Sequence, residues 1–227
     1  MTAAVTDPIL PSVVHMREGD HYCGIYRTDE DHRALIVDFI RQGVAKGEKI
    51  FYIVNVHTAA QLRALLEQSG VDVEALLAKN QLVILTAKEA YLKEGQFDPD
   101  KMIAMLREET NKALAEGYPA LRVTGEMTWA LAGEQGSERL VEYESLLNTF
   151  FPDSKCYAVC QYDQRRFDAE MLLDILHTHP KVLFGREGFD NSRMYYVPPH
   201  LFLERDRQSA TLDTWLGNLS RQRRSPA

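Results

Sequence analysis

The chain has 227 residues, enough for one large domain with a full buried core. Its make-up of 45% hydrophobic and 26% charged residues is that of an ordinary globular protein, and a formal net charge of −7 excludes the basic surface that a general nucleic-acid binder needs. No apolar run reaches membrane-span length, Met1 to Pro11 lacks the features of a secretory signal, and Cys23, Cys156 and Cys160 do not make a disulfide framework, so the expected compartment is the cytoplasm.

Residues 1–18 read as a flexible, proline-containing leader, 19–200 as the folded domain, and 201–227 as a C-terminal helix with a basic tail. His21–Tyr26 has the pattern of a short strand. Asp29 or Asp31 is placed to cap a following helix, where Leu35, Ile36, Phe39, Ile40 and Gly43 recur at helical spacing until Gly47 stops it. Lys49–Val54 is a near-continuous apolar run of the kind buried on both faces of a sheet. Thr58–Gly70 is amphipathic through Leu62, Leu65 and Leu66, and Leu82–Leu85 reads as a third strand. Pro99 opens a long helix through Met102, Ile103, Leu106, Ala113 and Leu114, which Gly117 ends.

Ala120–Thr124 is the fourth expected strand, and Leu140, Tyr143, Leu147 and Phe150 mark the next helix. Lys155–Tyr162 is the fifth strand and Phe167–His177 the helix after it. Val182–Phe184 and Met194–Val197 are read as late strands and Ser209–Arg221 as a last helix; Arg221, Arg223 and Arg224 are read as a solvated tail. No helix-turn-helix stands out, so direct contact with DNA is not expected. The alternation of strands and helices predicts an α/β protein of three layers, with a mostly parallel sheet between helices on both faces.

In such folds, ligands bind beyond the carboxyl ends of the strands, and a nucleotide hydrolase places its glycine-rich loop at the first strand-to-helix turn. Here that turn is Arg27-Thr28-Asp29-Glu30-Asp31-His32-Arg33, with no glycine and three carboxylates that repel phosphate. The G-x-x-x-G-E-K stretch at Gly43–Lys49 leaves a helix and enters a strand, the wrong order for a phosphate cradle. Nucleotide hydrolysis is therefore poorly supported, and a degenerate nucleotide site stays as an alternative.

Residues able to carry chemistry gather at the predicted strand ends: His21, Cys23 and Tyr26; Arg122, Thr124 and Glu126, with Trp129 following; Cys160 and Tyr162; and His179 after the fifth helix. Each has a plainer reading. Buried cysteines pack as small hydrophobes, Trp129 serves as a core plug, Arg122 and Glu126 form a structural ion pair, and a histidine at a helix end suits the dipole. One of Glu142 and Glu144, which flank Tyr143, should face solvent. His21-x-Cys23 with Cys160 and His179 has the donor types of a zinc site without its usual close ligand pairs, so no metal is assigned and these four are minor candidates.

The blocks HYCGIY (His21–Tyr26), FIRQGVAKGEKIFYI (Phe39–Ile53), GQFDPDKMI (Gly95–Ile103), EGYPALRVTGEMTWAL (Glu116–Leu131), LVEYESLLN (Leu140–Asn148), CQYDQRRF (Cys160–Phe167) and LHTHP (Leu176–Pro180) together resemble the MEDS domain, the methanogen/methylotroph, DcmR sensory domain. The resemblance implies a RecA/KaiC-like core that has lost its phosphate loop. It also implies a sensory role for small molecules such as one-carbon or other hydrocarbon derivatives, in signal transduction or transcriptional regulation. Ligand binding would fall to His21, Cys23, Tyr26, Arg122, Thr124, Glu126, Trp129, Cys160, Tyr162 and His179. No attached DNA-binding or kinase domain of the kind found in better-known members is expected, so the output is expected to pass through a partner protein, with homo-oligomerisation open. No cofactor is expected. The alternatives are a degenerate nucleotide-binding module, a metal- or thiol-dependent enzyme, with zinc or nucleotide as the cofactors to consider, and a plain interaction domain.

Overall fold

A computed structural model describes residues 16–185, 187–204 and 212–218. In chain order, its elements are β1 (His21–Tyr26), α1 (Asp29–Ala45), β2 (Lys49–Val54), α2 (Ala59–Gln68), α3 (Val73–Ala78), β3 (Leu82–Thr86), α4 (Ala87–Ala90), α5 (Pro99–Ala115), β4 (Leu121–Glu126), α6 (Leu140–Phe150), β5 (Cys156–Asp163), α7 (Ala169–Thr178), β6 (Lys181–Phe184), β7 (Glu187–Asp190) and α8 (Pro199–Phe202). The strands form one sheet in the order β3-β2-β4-β5-β1-β6-β7, parallel throughout except for the antiparallel β6–β7 pair. The α/β class, the parallel sheet and the helices on both faces agree with the sequence reading.

Local chemistry explains the boundaries. Thr28 caps α1, its hydroxyl accepting the Asp31 N–H at 3.0 Å, so neither Asp29 nor Asp31 is the cap; both fill the first turn, where the helix dipole favours negative charge. Thr58 and Gln61 make a capping box for α2, and Asp98 caps α5 just before Pro99. Met194–Val197 is not a strand. Asn191 gathers it into a turn: its backbone carbonyl accepts the Met194 N–H, and its side-chain oxygen accepts the Tyr195 N–H. The last strand is Glu187–Asp190 instead.

Residues 16–18, read as part of a loose leader, are tied down: Met16 is buried and its carbonyl accepts a bond from Lys46. The rest of that leader lies outside the described residues. So does most of the C-terminal tail, although 212–218 is helical.

Alternation along the strands divides the interior into two cores. Ile50, Tyr52 and Val54 of β2 pack under Ile36 and Ile40 of α1 and Leu62 and Leu66 of α2. Tyr22, Tyr157 and Val159 continue that side against Leu35 and Phe39. On the opposite side, Cys23, Val123, Ala158 and Cys160 pack with Leu106 of α5, Leu140 and Leu147 of α6 and Ile175 of α7.

Candidate functional site

Among the described residues, two histidine–carboxylate clusters interrupt these cores, one on each side of the sheet. The first lies at the carboxyl rim, on the α1 side, and spans the four central strands. Glu126 ends β4 and points across β2. One of its oxygens accepts the backbone N–H groups of Asn55, Val56 and His57 at 2.8, 2.5 and 3.1 Å, and the other meets the His57 ring at 2.8 Å. The chain leaving β2 thus wraps the carboxylate. His32, from the first turns of α1, stacks between Tyr26 (4.4 Å) and His57 (5.1 Å). Its Nε2 reaches the Gln161 side-chain oxygen at 2.6 Å, and the Gln161 amide donates to Thr124 at 2.7 Å.

Burial alone would raise the Glu126 pKa, but the His57 bond and the backbone N–H groups outweigh it and hold the carboxyl below its ordinary range. The Glu126 bond raises His57 above 6.5 against partial desolvation. Burial lowers His32, which stays neutral. His57, 35% exposed in its side chain, is where this network meets solvent.

The second cluster is sealed between β1, β5, α6 and the start of β6. Glu144 projects from α6 into the core, where Tyr162 donates to its Oε1. Its Oε2 lies 3.2 Å from His21 Nε2 and 3.3 Å from His179 Nε2, and Cys160 Sγ is 3.7 Å from His21 Nε2. The two imidazoles lie 4.1 Å apart. Burial works to raise the Glu144 pKa, but the His179 and His21 rings facing it prevail and hold the carboxyl well below its ordinary range. Burial, with the neighbouring His179 ring, lowers the His21 pKa. Burial raises the thiols of Cys23 and Cys160, which works against the thiolate character that a reactive cysteine needs.

The residues singled out in the sequence therefore do not share one crevice. His21, Cys160, Tyr162 and His179 converge on the α6 side, with Cys23 in the same core. Tyr26, Thr124 and Glu126 belong to the rim on the other side. Trp129 is core, stacked on Tyr91 at 4.7 Å, and its indole N–H has no hydrogen-bond partner among the described residues.

Arg122 does not pair with Glu126. Four residues along a strand separate them by roughly 13 Å, and Arg122 binds Glu48 at 2.8 Å instead. Of the minor metal candidates, His21, Cys160 and His179 come together, and Glu144 takes the place given to Cys23. Glu142 is the solvent-facing glutamate, paired with Arg139. His32, His57, Gln161 and Glu144 are among the members the sequence reading did not pick. The signal for His57 was its place just beyond a strand's carboxyl end.

The family model for the methanogen/methylotroph, DcmR sensory domain matches residues 20–180, which hold both clusters. The chain belongs to the MEDS family. Its sequence is 29% identical over 161 residues to the transcriptional repressor DcmR of Methylorubrum extorquens (strain DSM 6343 / CIP 106787 / DM4), a match covering 70% of this chain and 58% of the repressor. The chain thus aligns with little more than half of that relative. The MEDS fold is similar to the KaiC-like protein PH0186 of Pyrococcus horikoshii OT3 (TM-score 0.53, 14% identity, covering 74% of this chain and 72% of that one). It is also similar to the flagellar accessory protein FlaH of Methanocaldococcus jannaschii (TM-score 0.55, 8% identity, covering 74% and 72%). These likenesses bear out the RecA/KaiC-like core; at such identities they speak for the fold alone. Membership of a sensory-domain family and the repressor relative support a sensory or regulatory role. Among the described residues, no helix is long and apolar enough to cross a membrane.

Proposed function

We propose that this MEDS domain receives a small-molecule signal at the carboxyl rim of its sheet and passes it to a protein partner in transcriptional or other signalling control. One-carbon compounds and other small hydrocarbon derivatives are the signal class, in keeping with the family's sensory description and the repressor relative. The observation that carries this reading is the His57–Glu126 pair, which stands at the strand ends where α/β folds bind ligands and is partly open to solvent. The partly exposed His57 ring, backed by the His32–Tyr26 stack, offers a flat face, and His57 and His32 are held at their edges by hydrogen bonds to Glu126 and Gln161, a combination suited to a small, partly polar molecule. Phosphate fits the place poorly: the first turn of the fold has no glycine, and an ionised Glu126 is close by. A ligand that displaced His57 would free the segment after β2 and the start of α1, altering a surface that a partner can read.

Thermal denaturation tests the idea, since a ligand that binds only the native state raises the midpoint. Short alcohols, aldehydes and halogenated alkanes are compared with ATP and ADP. The expected result is a rise with at least one hydrocarbon derivative, lost in His57→Ala and Glu126→Gln variants that keep the wild-type far-UV spectrum. A rise with nucleotide, no rise with any of these compounds, or a rise that survives in both variants would overturn it.

A further inference from the structure

The hydrogen-bond roles around the sealed cluster can be worked out from groups that have no choice. The Asn148 amide nitrogen faces three backbone carbonyls, those of Glu144 (3.1 Å), Ser145 (3.2 Å) and Thr178 (2.7 Å), to which its two hydrogens donate with one of them shared. The atom that Asn148 turns toward His21 Nδ1, 3.0 Å away, is therefore its oxygen, a pure acceptor. His21 Nδ1 must carry the hydrogen. His179 Nδ1 faces the Ile175 carbonyl at 2.8 Å, which also only accepts, so it too carries a hydrogen. In neutral imidazoles the remaining nitrogen then bears a lone pair. Both Nε2 atoms thus aim lone pairs at Glu144 Oε2, at 3.2 and 3.3 Å. His179 Nε2 is fully buried and makes no hydrogen bond. Three acceptors facing one another in a dry core repel unless a cation lies among them.

We infer that His21 Nε2, Glu144 Oε2, Cys160 Sγ and His179 Nε2 form a binding site for one divalent transition metal of the zinc class. All four donor atoms lie within 4.8 Å of one another. Zinc bonds of about 2.0–2.3 Å in a tetrahedron place neighbouring donors about 3.3–3.6 Å apart. The contacts of 3.2, 3.3 and 3.7 Å are close to those edges. The surrounding shell has the form metal sites need: each histidine is oriented through its other nitrogen, and the free oxygen of the carboxylate is held by Tyr162. Two imidazoles, a carboxylate and a thiol suit zinc, cobalt or ferrous iron better than the hard cations magnesium and calcium. On binding, the Cys160 thiol releases its proton to solvent and ligates as thiolate, leaving a neutral centre of one dication, one carboxylate and one thiolate with two neutral imidazoles. The competing arrangement is purely protonic, with a proton on one of the Nε2 atoms.

The full chain, produced in zinc-supplemented cells and purified without chelator, is assayed for metal content; a second sample is unfolded, stripped and refolded with Co²⁺. One metal per chain is expected, with a thiolate-to-cobalt charge-transfer absorption in the cobalt form. Cys160→Ser should abolish that absorption, His179→Gln should lose metal, and Cys156→Ser should leave the absorption intact. Metal-free protein that takes up none on refolding would overturn the site, as would an absorption that persists in Cys160→Ser. If the variants do not fold, stoichiometry and absorption of the unmodified chain decide the matter. Neither readout depends on a signal molecule at the rim, so this inference and the proposed function stand or fall separately.

Discussion

The Arg122 guanidinium meets the Glu48 carboxylate at 2.8 Å while lying 4.7 Å from the ring centres of both Phe39 and Tyr157. Tyr157 also donates to Glu48, and the whole group is buried. It fastens the start of β2 to β4 and β5 far from the rim, so it belongs to stability and not to ligand contact. Removing one partner strands the other charge in the core. Glu48→Ala should therefore lower stability by about 3–5 kcal/mol, read by urea denaturation, while leaving a rim-ligand shift intact in protein that remains folded.

The His57–Glu126 pair predicts a stability window. His57 is raised in the folded state, so its contribution is full below 6.5 and is lost as pH rises through the raised value. Glu126 is lowered, so its contribution is full above 4.5 and is lost as pH falls through the lowered value. The stability difference between the wild type and a His57→Phe variant should be greatest between pH 4.5 and 6.5 and decline on either side. His21, lowered by burial, acts in the opposite sense in both proteins, which is why the comparison is made pH by pH. A difference that grows above neutrality would contradict the pairing.

The thiols should be inert in the native protein. Cys23, Cys156 and Cys160 are buried, and burial pushes each pKa upward, to about 12 for Cys156. Treatment with a thiol reagent should label none of them in the time that labels all three in denaturant. Fast labelling of Cys160 in folded protein would show an opening that the packing does not contain.

Gly125 permits an aromatic stack. A Cβ at this position would lie 2.3 Å from the Tyr91 hydroxyl, whose ring stacks on Trp129 at 4.7 Å. Gly125→Ala should displace Tyr91 at a cost of about 1–3 kcal/mol, with a change in the near-UV signal of Trp129. An unchanged spectrum and midpoint would mean that the ring yields without loss.

Periodicity revealed the fold because buried parallel strands are apolar runs and the helices between them carry clear caps and stops. The site was only partly legible. Strand ends drew attention to Glu126, Cys160 and His179, but which face each residue takes depends on register between strands, and a single strand does not encode that. Register puts Cys23 opposite Cys160, while the network of Glu126 forms on the other face. The rise per residue had already spoken against the Arg122–Glu126 ion pair that the sequence reading kept, since groups so far apart on one strand cannot pair directly. Glu144 had a signal that went unused: it shares the helical phase of Leu140, Leu147 and Phe151, all buried, so a charged group there must find partners inside. His32 has the same relation to Leu35 and Phe39.

Cys160 and Gln161 are consecutive residues of β5, yet one borders the sealed histidine–carboxylate group and the other holds His32 at the rim. The wall between the two chemistries is one peptide unit thick. A small slide or twist of this central strand would disturb both at once, without any chain of intermediaries running around the sheet.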